Sequence, residues 1–133
     1  MKVRAIIERG DDGTYGVYLE DNAANILIIG NGDSIDEAKE DFMLCRDEMK
    51  AYYEEEGREF PELEFEFQYD AASFLSYYNQ FISLEGLEHL TGLKQISLNQ
   101  YLTPENKPNI QTTKKIQQHL HSFGKELQQL KFA

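Results

Sequence analysis

The chain of 133 residues is 41% hydrophobic and carries a net charge of −11, which excludes a disordered protein and leaves room for one domain or two small ones. It has no apolar run of the roughly 18 residues that a membrane helix needs, and its first residues do not resemble a signal peptide. We therefore expect a soluble cytoplasmic protein, in which the single cysteine, Cys45, forms no internal disulfide.

The charge is unevenly distributed along the chain. Residues 1–70 hold seven Lys or Arg against twenty Asp or Glu, a net of −13, whereas residues 71–133 hold six against four, a net of +2. This asymmetry predicts two parts with different partners, because the first repels phosphate and the second tolerates nucleic acid. A plainly solvated acidic domain explains the same numbers equally well.

Three strands are predicted near the start of the chain. Residues 2–8 and 15–20 are rich in β-branched and aromatic residues and flank the turn pair Asp12-Gly13, which indicates a β-hairpin. Residues 26–29 are continuously apolar and end at Gly30, as is typical of a strand covered on both faces.

A long helix follows, and its start is marked by a capping box. Ser34 and Glu37 have the spacing at which both side chains bond free backbone N–H groups. The helix is predicted to run toward Gly57. Apolar residues at intervals of three and four form one predicted buried stripe: Ile35, Ala38, Phe42, Cys45, Met49 and Tyr52. Because Cys45 lies on this stripe, we interpret it as a core residue rather than a nucleophile.

Strict alternation after Pro61 predicts a fourth strand. Its apolar face consists of Leu63, Phe65, Phe67 and Tyr69, and its polar face of Glu62, Glu64, Glu66 and Gln68. The predicted order β-β-β-α-β makes residues 1–70 a small α+β domain. Because this domain is strongly acidic, we expect it to bind a partner.

Residues 71–133 show only helical patterns. Helices are predicted over residues 71–81, 83–90, 94–102 and 110–130, with a proline-containing loop over residues 103–108. The last helix has an apolar stripe that consists of Ile116, Leu120, Phe123, Leu127 and Leu130. The whole chain is therefore expected to be an α+β protein that ends in an all-α domain.

The second and third of these helices fit a helix-turn-helix over residues 83–131. They are joined by a short break at Gly92, and their leucines can pack together, with either Ile96 or Leu98 facing inward. In this motif the second helix enters the major groove of DNA, where amide, hydroxyl and lysine side chains bond base edges and phosphates. The candidate DNA-binding residues on that helix are Lys94, Gln95, Ser97, Asn99 and Gln100. An ordinary small helical bundle would give a similar pattern.

Residues 86–102 resemble the helix-turn-helix of the Cro/repressor type, with its threonine-glycine turn at Thr91-Gly92. The likeness continues through the basic-proline pair Lys107-Pro108 and residues 112–116. It implies that Gln95, Ser97, Asn99 and Gln100 face DNA and that Lys107 lies near phosphate. Where other members have glycine in the loop, this chain has Pro104.

The first half is similar to the HicB antitoxins, whose first domain has a truncated ribonuclease H fold. The similarity is carried by residues 15–19 in the second strand and residues 32–38 at the start of the long helix, with a departure over residues 22–25. It implies an antitoxin that neutralises a small basic mRNA-cleaving toxin through the first domain and represses its own operon through the second. The toxin-contacting residues are not implied.

The sequence also leaves two other function classes open. A nuclease would need carboxylates that converge on divalent metal ions. Asp11, Asp12 and Glu20 are the nearest candidates, but the acidic residues lie mostly on predicted outer surfaces. His119 and His121 point in different directions on a helix. We therefore expect no enzyme, metal or cofactor.

The remaining alternative is a stand-alone transcriptional regulator whose first domain dimerises or senses a ligand. In either case the low positive charge of residues 71–133 predicts weak DNA binding by one copy. We therefore expect a homodimer or a larger even oligomer on double-stranded operator DNA.

Overall fold

The computed structural model describes residues 1–20, 25–103 and 105–133, which form four strands and five helices. The predicted mixture of strands and helices in an α+β protein is confirmed. The chain separates into two compact units, Met1–Asp70 and Ala71–Ala133. Of residues 22–25, at which the sequence departs from the HicB pattern, 22–24 lie outside the described part, as does Pro104.

The first unit contains one four-stranded sheet. Its strands are β1 (Lys2–Arg9), β2 (Tyr15–Leu19), β3 (Ile29–Gly32) and β4 (Glu64–Tyr69). They are ordered β3-β2-β1-β4, with β2 antiparallel to both neighbours and β4 parallel to β1. The sheet therefore has β3 and β4 at its edges.

The prediction for the third strand was wrong in position and in burial. The strand lies at Ile29–Gly32, and the preceding apolar run alternates, with Ile28 buried and Leu27 74% exposed. The sheet is covered on one face here, not on both. A Cβ on Gly30 would lie 2.4 Å from the backbone oxygen of Ala38 and the backbone nitrogen of Phe42. The strand runs through glycine because only glycine lets the following helix approach so closely.

That helix, α1 (Ile35–Glu55), begins at the predicted cap. The Ser34 hydroxyl accepts a hydrogen bond from the Glu37 backbone N–H at 3.1 Å, and the Glu37 carboxylate accepts one from the Asp33 N–H at 2.9 Å. The buried stripe differs from the prediction at its end. Tyr53 packs on the core while Tyr52 is half exposed.

The core of the first unit lies between α1 and one face of the sheet. The Phe42 ring meets those of Phe65 and Phe67 edge-on, at centroid distances of 4.9 and 5.7 Å. Cys45 is partly buried against this core, on the predicted stripe. The alternation predicted for β4 is confirmed, since Phe65 and Phe67 pack inward while Glu64 and Glu66 are exposed.

The second unit consists of four helices, α2 (Ala71–Tyr78), α3 (Leu84–Thr91), α4 (Gln95–Tyr101) and α5 (Ile110–Gln128). Both α2 and α5 end a few residues before their predicted limits. The buried core is formed by Leu75, Leu87, Leu93, Leu98 and Ile116. In the part of the chain that the structure describes, no helix is both long and apolar enough to cross a membrane.

Candidate nucleic-acid interface

The connection between α3 and α4 is a tight turn with both ends fixed. The Ser83 hydroxyl caps the start of α3 by accepting a hydrogen bond from the Gly86 N–H at 3.0 Å. At the other end Gly92 is left-handed, with φ of 73°, and its N–H bonds the Glu88 carbonyl at 2.9 Å. A left-handed residue after the last turn is the usual way in which glycine ends a helix and redirects the chain.

Thr91 locks this turn from the inside. Its hydroxyl is fully buried and donates a hydrogen bond to the Leu87 carbonyl at 2.7 Å, while accepting one from the Leu93 N–H at 3.2 Å. The side chain thus joins the last turn of α3 to the residue that leads into α4. The sequence marked Thr91-Gly92 as a break and a turn but gave no sign of these two hydrogen bonds, so this role of Thr91 was missed.

Gly92 is also required by its neighbour on α5. A Cβ at this position would lie 2.5 Å from Nε2 of His119, and the His119 ring is itself placed by an Nδ1 contact of 2.9 Å with the Lys115 carbonyl. The turn therefore lies directly against α5. This packing fixes the orientation of α4 on the rest of the unit.

The start of α4 is capped by a carboxylate from the preceding helix. Oε2 of Glu88 accepts a hydrogen bond from the Gln95 N–H at 3.0 Å, while Lys94, at the N-cap position, makes no side-chain cap bond. A negative side chain at a helix start is stabilising, and it occupies an N–H that could otherwise hold a phosphate. The side chains of α4 are then what this helix offers to a ligand.

The predicted DNA-facing residues are unequally exposed. Lys94, Gln95, Asn99 and Gln100 are exposed on α4, whereas Ser97 is half-buried at its side. Lys107 is exposed between α4 and α5, where it has an interaction of its own. The structure thus leaves four of the predicted residues exposed and Ser97 half-buried.

Ile96 is an exposed residue that the sequence left undecided. It is 76% exposed, and the buried alternative is Leu98, with 0% exposure. Ile96, Asn99 and Gln100 have the spacing of neighbours on one helix face. An apolar side chain among amides suits contact with the methyl group of thymine. Helical spacing is the signal that could have placed Ile96, because a residue two positions from buried Leu98 points away from the core.

The first unit has a second candidate surface, the sheet face that points away from α1. Register places Ile6, Tyr18 and Ile29 side by side across three strands on this face, where Ile6 is buried, Tyr18 is half-buried and Ile29 is 47% exposed. The same face carries the acidic residues Glu8, Glu20, Glu64 and Glu66, with Lys2 beside Glu64 and Arg4 beside Glu66. An apolar centre with a polar rim is the common composition of a protein interface.

Tyr18 is held within this acidic surrounding. Its hydroxyl donates a hydrogen bond to the Glu8 carboxylate at 3.0 Å. Partial burial, this hydrogen bond and the charges of Glu8, Asp70 and Glu20 raise the pKa of Tyr18 well above its ordinary value. Beside it, Arg4 pairs with Glu20 at 2.6 Å, so Arg4 offsets part of the acidic charge.

The structure gives the carboxylates of the first hairpin a structural part. Asp12 accepts hydrogen bonds from the Thr14 N–H and hydroxyl at 3.0 and 2.8 Å, which lower the pKa of its carboxyl group and close the turn. Among residues 1–20, 25–103 and 105–133, no group of three or more His, Cys, Asp or Glu is placed to hold a metal ion.

Comparison with known proteins leaves the chain without a family assignment. No family model, no curated protein and no solved structure matches it.

Proposed function

We propose that the chain is a non-catalytic antitoxin of the cytoplasm. Its β-β-β-α-β unit neutralises a small basic mRNA-cleaving toxin, and its helix-turn-helix unit binds operator DNA and represses the operon. The observation that carries the DNA part is the locked α3–α4 turn with an exposed, amide-rich α4 surface. The toxin part is supported by the acidic rim around an apolar row on the open sheet face.

On DNA, α4 lies in the major groove. Gln95, Asn99 and Gln100 can each bond adenine through two hydrogen bonds, and Ile96 can contact a thymine methyl group. Lys94 and Lys107 add contacts with guanine or phosphate. Since the unit has a net charge of only +2, one copy gains little affinity from phosphates. A dimer on a palindromic site makes these contacts twice.

The DNA part is tested by titrating a duplex from upstream of the chain's own gene, and a shuffled duplex, with the full-length protein. Gln95→Ala and Gln100→Ala should each lower the preference for the operator about tenfold, because each removes a base contact. Lys107→Ala should weaken both duplexes alike. Gln118→Ala, an exposed glutamine on α5, is the matched control and should change neither.

Equal losses on operator and shuffled duplex for the two α4 variants would contradict the assignment of α4 as the recognition helix. If the wild-type chain binds the duplex from its own upstream sequence no more tightly than the shuffled duplex, autorepression is excluded.

On the toxin, the first unit competes with RNA for the same basic surface. A ribonuclease that holds phosphates must be basic, and a unit with a net charge of −13 attracts it over a long range. Tyr18 and Ile29, the two members of the apolar row that are not buried, then supply the area that is removed from water at the centre of the contact.

The toxin part is tested with the small basic protein encoded beside the chain's gene and an mRNA substrate. The wild-type chain should stop cleavage at a stoichiometric ratio. The double change Glu64→Lys and Glu66→Lys on the open sheet face should weaken inhibition at least tenfold, because it reverses charge at the rim. The matched control, Glu40→Lys with Glu48→Lys, makes the same charge change on the exposed surface of α1.

Unchanged cleavage in the presence of wild-type chain would falsify the antitoxin proposal. In that case the stand-alone regulator remains, provided that the operator titration succeeds. Equal effects of the two charge reversals would show that net charge acts without the sheet face.

A further inference from the structure

The apolar stripe of α5 continues beyond the residues that pack on the core of the second unit. Ile116 is buried at 3% exposure and Leu120 packs on the core of the second unit. Farther along the same stripe, Leu127 is 48% and Leu130 52% exposed, and Phe132 after the helix is 93% exposed. The last third of this stripe is thus amphipathic, and its two leucines are about half exposed.

A shallow groove of about 950 Å³ lies where this stripe leaves the core, between α3 and α5. Its apolar lining includes Ile82, Leu90 and Phe123, and its rim carries the carboxylates of Glu85 and Glu88. Phe123 belongs to both the groove and the stripe. The exposed stripe and the groove therefore form one continuous apolar surface.

We propose that the segment over residues 125–133 of one copy docks in the α3–α5 groove of a second copy, and that the exchange is reciprocal. This deepens the dimer part of the proposed function by naming its surface. The segment cannot reach the groove of its own chain while α5 stays helical. Leu127 lies one turn beyond Phe123, about 6 Å farther along the same straight axis.

Two antiparallel α5 helices satisfy this arrangement. If they cross near Phe123, Leu127 of one copy lies about 6 Å beyond the crossing, beside the groove residue His119 of the other, about 6 Å from it. The contact is isologous, with each copy giving a segment and receiving one.

Charge favours the same pairing. The docking segment carries Lys125 and Lys131 against Glu126, while the groove has Glu85 and Glu88 against Lys94. Each copy therefore offers a segment of net positive charge to a groove whose carboxylates outnumber its lysines. Opposite potentials on the two surfaces guide register and disfavour wrong partners.

The experiment is sedimentation velocity of the full-length chain over a range of concentrations, without DNA or toxin. The wild-type chain should form a dimer at micromolar concentration. Leu127→Asp with Leu130→Asp should raise the dissociation constant at least 100-fold, because each copy would bury two unpaired charges. Ile110→Asp is the matched control, since Ile110 is 70% exposed at the other end of α5, and it should leave the dimer intact.

A variant in the groove tests the receiving side. Glu85→Arg reverses an exposed charge on the rim of the groove. It should weaken the dimer about tenfold, because each rim contact occurs twice in a reciprocal dimer. Helix content by circular dichroism should stay unchanged in all variants, because the altered side chains are exposed.

The proposal is overturned if the wild-type chain stays monomeric at about 100 µM, the upper end of a practical concentration range. So does a dimer that survives the double aspartate change, which would assign dimerisation to another surface. Dissociation by the double change with no effect of Glu85→Arg would overturn the groove as the receiving site. Because no DNA is present, none of these results depends on the operator titration.

Discussion

The two units of this chain reach a fixed structure by different routes. In Met1–Asp70 the order depends on pairing between distant residues, since β4 lies parallel to β1 across some sixty residues of sequence. In Ala71–Ala133 neighbouring helices pack on one another through short turns. Local contacts form with less loss of chain entropy than distant ones. The first unit is therefore the more demanding one to assemble.

The units also divide the charge, with a net of −13 in the first and +2 in the second. One repels nucleic acid, and the other presents amide side chains on a short exposed helix with Lys94 at its start. Both nevertheless depend on a glycine at which another element approaches without room for a Cβ. In the first unit this is Gly30 against the backbone of α1, and in the second it is Gly92 against His119.

The largest expected effect is on the first unit. Gly30→Ala places a methyl group 2.4 Å from backbone atoms of Ala38 and Phe42, which cannot move without displacing α1. We expect a loss of about 3 kcal/mol or more in the free energy of unfolding of this unit, at the upper end of overpacking effects. Urea denaturation followed by tyrosine fluorescence measures it, and amide NMR spectra show which unit has unfolded.

The control is the same substitution on the neighbouring strand. Gly16→Ala would bring its methyl group no closer than 3.6 Å to the Asn31 side chain, an ordinary contact. It should cost well under 1 kcal/mol. If Gly30→Ala broadens or shifts the amide signals of both units together, they do not unfold separately and the comparison between them fails.

A smaller loss is expected in the second unit from Gly92→Ala. The left-handed backbone, with φ of 73°, costs a non-glycine residue about 1–2 kcal/mol. The collision with the His119 ring adds to that cost. Adding His119→Ala should restore the second part only, because a shorter side chain leaves the backbone strain in place. Thermal unfolding of the single and double variants separates the two contributions.

Operator binding by these variants should change in parallel with their stability. Gly92→Ala tilts α4 relative to α5 and so weakens DNA binding, and the double variant regains part of it. A Gly92→Ala chain with unchanged stability would mean that the turn is not the rigid link between the helices.

The sequence predicted most elements of both units but misplaced those set by packing. The capping residues Ser34 and Ser83 could be identified because a cap is a local interaction between residues three apart. The third strand could not, because its place among the glycines depends on how closely α1 approaches Gly30. The apolar run over residues 26–29 has the same sequence whether the sheet is covered on one face or on both.

The candidate interface shows the same limit at the level of single side chains. Spacing placed Lys94, Gln95, Asn99 and Gln100 on a helix that the structure leaves exposed. It could not decide between Ile96 and Leu98, because both fit an inward position and only the direction of α4 after Gly92 selects one. The carboxylate of Glu88 at the start of α4 is a contact between residues seven apart, which no local pattern reveals.

The smallest expected effect is a pH dependence confined to the acidic unit. The pKa of Tyr18 is raised by its burial and by its bond to Glu8, so folding favours the neutral phenol. Its contribution to stability is present below the ordinary tyrosine pKa of about 10 and is lost as the pH rises above it. Tyr18→Phe should cost about 0.5–1 kcal/mol near neutral pH, the value of one hydrogen bond. Urea titrations at pH 8 and near pH 11 should show this difference shrinking in the alkaline sample, with Tyr52→Phe on the exposed surface of α1 as the baseline. A difference that stays constant over this range would mean that the Glu8 bond does not distinguish the two forms of the phenol.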